Sequence, residues 1–308
     1  MSSLRAAVDD YLTVRRALGY KLRMHGLLLR EFVSYLEQVG AETISTSLAL
    51  EWAKLPSDTT ATWWAFRLSV VRGFARHLRA IDPCTEVPPA DLLPRRPTHA
   101  TPYLYSDAAV VNLMKAARTL RPPFRAITLE TVIGLLAVTG MRIGETLGLD
   151  KEDVDLGKGL LTIRQNKFGK SRQIPVHAST VRALTLYAHQ RDELLSRPAD
   201  PKFFVSPAGK PLIYASVRNT FHTLVRQAGL EARSRSCRPR LHDLRHTFAM
   251  QTLLSWYRDG CDVEGRLPRL STYLGHNGPE TSYWYLSAAP ELLALAAERL
   301  ERALGEST

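Results

Sequence analysis

Four short stretches of this chain carry residues able to act on a phosphate ester: TGMRIGE at 139–145, LHDLRH at 241–246, LGH at 274–276, and a tyrosine pair, Tyr283 and Tyr285, close behind. A phosphodiester is anionic and resists a further nucleophile. Catalysis without a metal must therefore supply positive charge that follows phosphorus into its pentacoordinate transition state. Arginine suits this, because its planar fork stays charged and can bond two phosphate oxygens at once. Arg142 and Arg245 provide two such forks, His242 and His276 can shuttle or donate protons, and a tyrosine hydroxyl can attack phosphorus.

The local patterns give each residue a setting. Arg142 follows the Thr139–Gly140 break and opens the helical stretch IGETLGL, where backbone N–H groups also favour an anion. His242 and Arg245 stand three apart at the start of a helix and share a face. His276 is followed by Asn277, Gly278 and Pro279, a turn with Pro279 at the first position of a new helix. Tyr283 and Tyr285 lie about 200° apart around a helix, so only one can face a site. Taken singly these are a surface arginine, a helix-end ion pair, a capping histidine and core aromatics. Their joint order carries the meaning.

The elements that must position them are mostly helical. Before residue 82 the spacing predicts helices over about 3–17, 22–39, 46–55 and 60–80, and no strand. Six prolines between 83 and 102 cannot continue a helix and mark a linker. Beyond it, Ser106 caps a helix over DAAVVNLMKAA, and an apolar helix covers 124–138. LLTIRQ (160–165) and RQIPV (172–176) then flank NKFGKS as a hairpin, with FFVS (203–206) as a third strand. Helices resume over about 178–196, 215–229, 242–259, 267–274, 279–286 and 289–303. The expected fold is mainly α with a small antiparallel sheet: a helical domain over 1–82, a proline-rich linker over 83–102 and an α+β domain over 103–308.

Composition narrows the partners. The 308 residues carry 41 Lys and Arg against 30 Asp and Glu, a net charge of +11, which favours a polyanion such as nucleic acid. The stretch 202–245 holds nine basic residues against Glu231 and Asp243, and its RSRSCRPR run leads directly to His242. Cys84, Cys237 and Cys261 are odd in number and widely spaced, which suggests neither disulfide nor zinc and fits a reducing cytosol. No signal core or membrane span is expected, because no apolar run approaches about eighteen residues.

In the order Arg, Lys turn, His-x-x-Arg, Leu-Gly-His, Tyr, the chain resembles the tyrosine recombinase, or phage integrase, family over about 100–308, and its first helices look like that family's core-binding domain. The resemblance implies that Arg142 and Arg245 clamp the scissile phosphate, that His242 takes or returns the tyrosine proton, and that His276 hydrogen-bonds the phosphate. It implies Tyr285, nine residues after His276, as nucleophile in preference to Tyr283. It also implies that Lys167 of the hairpin turn protonates the departing 5′ oxygen, with Lys170 as competitor. The implied activity is site-specific recombination through a 3′-phosphotyrosine, in integration, excision, resolution or transposition.

The implied partners are double-stranded DNA with paired, inverted-repeat core sites, a homotetramer in the synaptic complex, and an accessory recombinase as an open matter. No cofactor or metal is implied, and the expected location is the cytoplasm. Two other classes compete: a type IB topoisomerase-like relaxase and a non-catalytic DNA-binding protein. The LGH motif and the core-binding helices favour the recombinase. The final helix carries an apolar stripe of Leu292, Leu295, Leu300 and Leu304, suited to packing in cis or in trans. Residues 256–273 exceed the family's usual length before LGH, so an enlarged loop is expected there.

Overall fold

A computed structural model describes residues 4–93, 101–164, 171–195 and 200–275. The chain divides into two compact units, Met1–His99 and Ala100–Thr308. In the first, α1 (Leu4–Ala17), α2 (Arg23–Gln38), α3 (Thr46–Lys54) and α4 (Ala61–Leu78) follow the helical spacing closely. Their apolar stripes close on Phe32, Leu36, Trp52, Val71 and Phe74, all buried. Buried Arg67 lies 3.7 Å above the Trp52 ring and donates to the Trp52 carbonyl at 3.0 Å, so its charge enters the core with partners. Part of the proline stretch packs on this unit. Arg72 donates to the carbonyls of Pro88 at 2.7 Å and Pro89 at 2.6 Å, and Leu93 is buried.

The second unit is organised on α6 (Pro123–Thr139), which is apolar on nearly every side and packs against α5 (Asp107–Arg118), α8 (Ala178–Leu194) and α10 (Leu241–Arg258). Ser106 accepts from Ala109 N at 3.2 Å, the cap expected for α5. Among the described residues the other α-helices of this unit are α7 (Ile143–Gly148), α9 (Tyr214–Gln227) and α11 (Val263–Leu274). Among the described residues no helix is long and apolar enough to cross a membrane.

The sheet has three antiparallel strands in the order β1 (Val154–Asp155), β2 (Leu160–Ile163), β3 (Arg172–Pro175). Its register pairs Leu161 with Ile174 and Ile163 with Arg172, turning Leu161, Ile163 and Ile174 to the core. The third strand is not the expected 203–206. Phe203, Phe204 and Val205 are buried against Tyr187, and their backbone is satisfied by isolated bonds, Phe203 N to Leu149 O at 2.8 Å and Val205 N to the Tyr187 hydroxyl at 3.1 Å. Burial made that segment look like a strand; it joins no ladder of the sheet.

The expected enlarged loop before residue 274 is also corrected. Asp262 caps Gly265 N at 3.0 Å and starts α11 at Val263, ahead of Pro268, so the extra length is spent on a helix.

Gly140 ends α6 in the left-handed region, at φ 60°, and a Cβ there would stand 2.5 Å from Phe248 Cδ1. Gly140→Ala is expected to cost about 2–4 kcal/mol, from backbone strain plus overpacking. Thermal unfolding should show this as a fall of roughly 5–10 °C; a wild-type transition would remove the steric argument.

Candidate active site

Arg142 stands where α6 has ended and α7 begins. Its backbone is extended, at φ −72° and ψ 141°, and its N–H donates to Glu145 Oε2 at 3.0 Å, closing the first turn of α7. The side chain doubles back. Nη1 donates to Glu145 Oε1 at 2.9 Å and Nη2 to the Gly275 carbonyl at 2.7 Å, and the side chain as a whole keeps 37% of its surface open.

Arg245 reaches the same place from α10. It is buried, donating from Nη1 to the Gly140 carbonyl at 2.9 Å and from Nη2 to the Leu274 carbonyl at 2.6 Å. The start of α10 is held by Asp243, which accepts from Arg240 N at 3.1 Å and Arg240 Nε at 3.2 Å. Burial pushes the Asp243 carboxyl up, against the pull of Arg240.

A third arginine, which none of the four motifs contains, completes the cluster. Arg172 on β3 donates from Nε to the Tyr273 carbonyl at 2.8 Å, and its fork grips Glu145, Nη1 to Oε1 at 3.1 Å and Nη2 to Oε2 at 2.7 Å. The carbonyls of Tyr273, Leu274 and Gly275, at the C-terminus of α11, thus accept from Arg172, Arg245 and Arg142 in turn. Gly275 makes room for them: at φ 68°, a Cβ would lie 2.7 Å from Arg172 Nη1. A signal for Arg172 existed. Strand alternation puts it on the face of buried Ile174, where an arginine needs a partner.

Glu145 is the common anion. Burial alone would raise its carboxyl, but hydrogen bonds from Arg172 and from the backbone and side chain of Arg142 hold it below the ordinary carboxylate value. His242 keeps an open face to solvent, although protein crowds the rest of its ring, and His246 lies edge-on at 4.8 Å. That partial desolvation, then the charges of Arg245, Arg142 and Arg240, lower its pKa from 6.5 to about 4. Because the ring is not sealed, the three guanidiniums are the firmer cause of the direction. At neutral pH His242 is therefore an uncharged base.

The structure brings Arg142, His242 and Arg245 into one cluster. Lys167, Lys170, His276, Tyr283 and Tyr285 lie outside the described residues, as do the expected helices over 279–286 and 289–303 with the Leu292–Leu304 stripe. Of the basic run, Arg233, Arg235 and Arg238 are exposed, but Arg233 and Arg240 have intramolecular duties. Arg233 stacks 4.9 Å over Tyr103 and donates to Leu104 O at 3.1 Å, while Arg240 donates to Thr101 O at 3.1 Å. Among the described residues no group of three or more His, Cys, Asp or Glu side chains is arranged to hold a metal ion.

Residues 104–291 match the model of the phage integrase family. The Sinorhizobium fredii protein y4rB, named as an integrase/recombinase, is 45% identical over 98% of both chains. The tyrosine recombinase XerC of Azotobacter vinelandii is 31% identical over 61% of this chain and 59% of its own. Among solved structures, a lambda integrase tetramer bound to a Holliday junction shares the fold with a TM-score of 0.61, at 18% identity over 92% of this chain and 77% of that one.

The lowered pKa of His242 makes a directional prediction for stability. As pH falls from 6.5 towards 4, the unfolded chain takes up this proton before the folded one, so the contribution of His242 is whole above 6.5 and lost on approaching 4. Denaturant unfolding at pH 7, 5.5 and 4.5 should show wild type losing more stability than His242→Gln over that interval. Parallel losses in the two proteins would refute the shift.

Proposed function

The chain belongs to the phage integrase family, whose members are tyrosine recombinases, and from that membership we propose how its own residues break and rejoin DNA. Tyr285 attacks the scissile phosphorus, forming a 3′-phosphotyrosine and releasing a 5′-hydroxyl. Arg142 and Arg245 hold the nonbridging oxygens as charge builds on them. His242, neutral at working pH, takes the phenol proton, His276 hydrogen-bonds the phosphate, and Lys167 protonates the departing 5′ oxygen. The phosphodiester bond energy is kept in the phosphotyrosine. Attack by the 5′-hydroxyl of another strand then runs the steps backwards and joins the DNA in a new arrangement.

One observation carries this reading: Arg142 and Arg245, 103 positions apart, converge on the last carbonyls of α11, and the next residue in the chain is His276. Arg142, whose side chain is the more open of the two, has N–H groups within reach of a phosphate. Exposed Arg235 and Arg238, which precede α10, supply positive charge for the DNA backbone. The structural relative solved as a tetramer on a Holliday junction supports a homotetramer, which we place on paired, inverted-repeat sites. We place this activity in the cytoplasm, on the DNA of a mobile element.

The test is a nicked suicide substrate, which traps the covalent adduct by letting the short 5′ fragment diffuse away. Wild type and Tyr283→Phe should form the protein–DNA adduct and Tyr285→Phe should not; an adduct that survives Tyr285→Phe would defeat the assignment. On a plasmid carrying two sites, recombinant products are expected. Relaxation without recombinants would instead favour topoisomerase-like activity.

A further inference from the structure

The Glu145 carboxylate sits between two guanidiniums. It accepts from Arg142 through the backbone N–H at 3.0 Å and Nη1 at 2.9 Å, and from Arg172 through Nη1 at 3.1 Å and Nη2 at 2.7 Å. The two pairs differ in setting. Arg172 and Glu145 expose only 10% and 11% of their side chains, whereas Arg142 exposes 37%. The bidentate, buried pair is therefore Arg172 with Glu145, and Arg142 is bonded to the same carboxylate from the more open side.

With Arg142 as its only partner, Glu145 would orient that arginine and also cancel its charge, which defeats its use on a phosphate. A second guanidinium on the carboxylate separates the two effects: Arg142 stays oriented, and one positive charge is left over before Arg245 is counted. Arg172 is itself fixed. Its Nε is anchored on the Tyr273 carbonyl, and its backbone stands opposite Ile163 at the end of the β2–β3 ladder.

We infer that Arg172 is a positioning residue which, by serving as the counter-ion of Glu145, keeps the charge of Arg142 available to the scissile phosphate. It acts through Arg142 and does not touch DNA. The inference rests on the recombinase reading above.

The experiment measures the first-order rate of adduct formation on the nicked substrate at saturating DNA, together with DNA affinity, for the full chain. Arg172→Gln should slow adduct formation on the order of tenfold with affinity nearly unchanged, since the loss falls on the transition state. Arg172→Lys keeps the charge but loses the bidentate fork, so its rate should fall between those of wild type and Arg172→Gln. Adding Glu145→Gln to Arg172→Gln removes the anion that would otherwise cancel Arg142 and should recover much of the lost rate, a rescue that lost packing would not give. On a substrate with a methylphosphonate at the scissile position, which lacks the nonbridging charge, the Arg172→Gln defect should shrink.

The inference is overturned if Arg172→Lys is as slow as Arg172→Gln, if the double variant is slower still, or if the defect is equal on both substrates. Should Arg172→Gln melt before the assay temperature, Arg172→Lys on the two substrates decides: a defect that shrinks on the methylphosphonate supports the inference, and an equal defect on both ends it. A wild-type protein that forms no Tyr285 adduct would instead remove the recombinase reading. An adduct formed equally fast by wild type and Arg172→Gln removes only the role of Arg172.

Discussion

An α-helix ends in carbonyl groups that its own backbone cannot satisfy, and at the end of α11 those groups are met by arginines from three separate elements. Arg142 comes from the start of α7, Arg172 from β3 and Arg245 from α10. Three guanidiniums so close would repel one another in isolation. The negative end of the helix dipole and the Glu145 carboxylate offset that repulsion, so positive charge collects at one point without unfolding it. The rest of the candidate site is built outward from this contact.

Arg245 shows how far the constraint extends, because it joins two helix ends. One of its nitrogens donates to Gly140, the left-handed cap of α6, and the other to Leu274, beside the left-handed cap of α11 at Gly275. Both caps are glycine for a steric reason as well as a conformational one. A side chain at Gly140 would strike Phe248, and one at Gly275 would strike Arg172. The buried guanidinium therefore depends on two positions more than a hundred residues apart in the chain, and the core helix α6 is tied to the site through its last carbonyl.

The basic run that leads to α10 serves structure as well as charge. Arg233 and Arg240 bond the backbone of the 101–105 segment, the Cys237 thiol meets the Pro102 carbonyl at 3.5 Å, and the Tyr105 hydroxyl donates to Arg240 O at 3.0 Å. Tyr105 N donates in turn to Thr247 on α10 at 3.0 Å. The residues that open the second unit are thus stitched to the helix that carries His242 and Arg245. Composition suggests charge directed at a polyanion, and of this run Arg235 and Arg238 are exposed ahead of α10.

The sequence by itself determined the elements whose causes are local. Helices α1 to α6 and α8 to α10 start and stop within a few residues of their periodic patterns, Ser106 caps α5 as its position required, and the β2–β3 pair forms where the alternating runs lay. The family membership was legible for the same reason, since its motifs are short and contiguous. Where burial imitated a pattern, the reading failed: Phe203–Val205 is apolar because it packs on Tyr187, and α11 reaches back to Val263 through a cap at Asp262. Only the tertiary structure decided how the arginines are used. Glu145 and Arg172 are 27 positions apart and Arg172 and Tyr273 are 101 apart, so no window of sequence contains both partners of either bond. A charge on a strand face reads as surface until the element that covers it is known, and that element comes from the far end of the described chain.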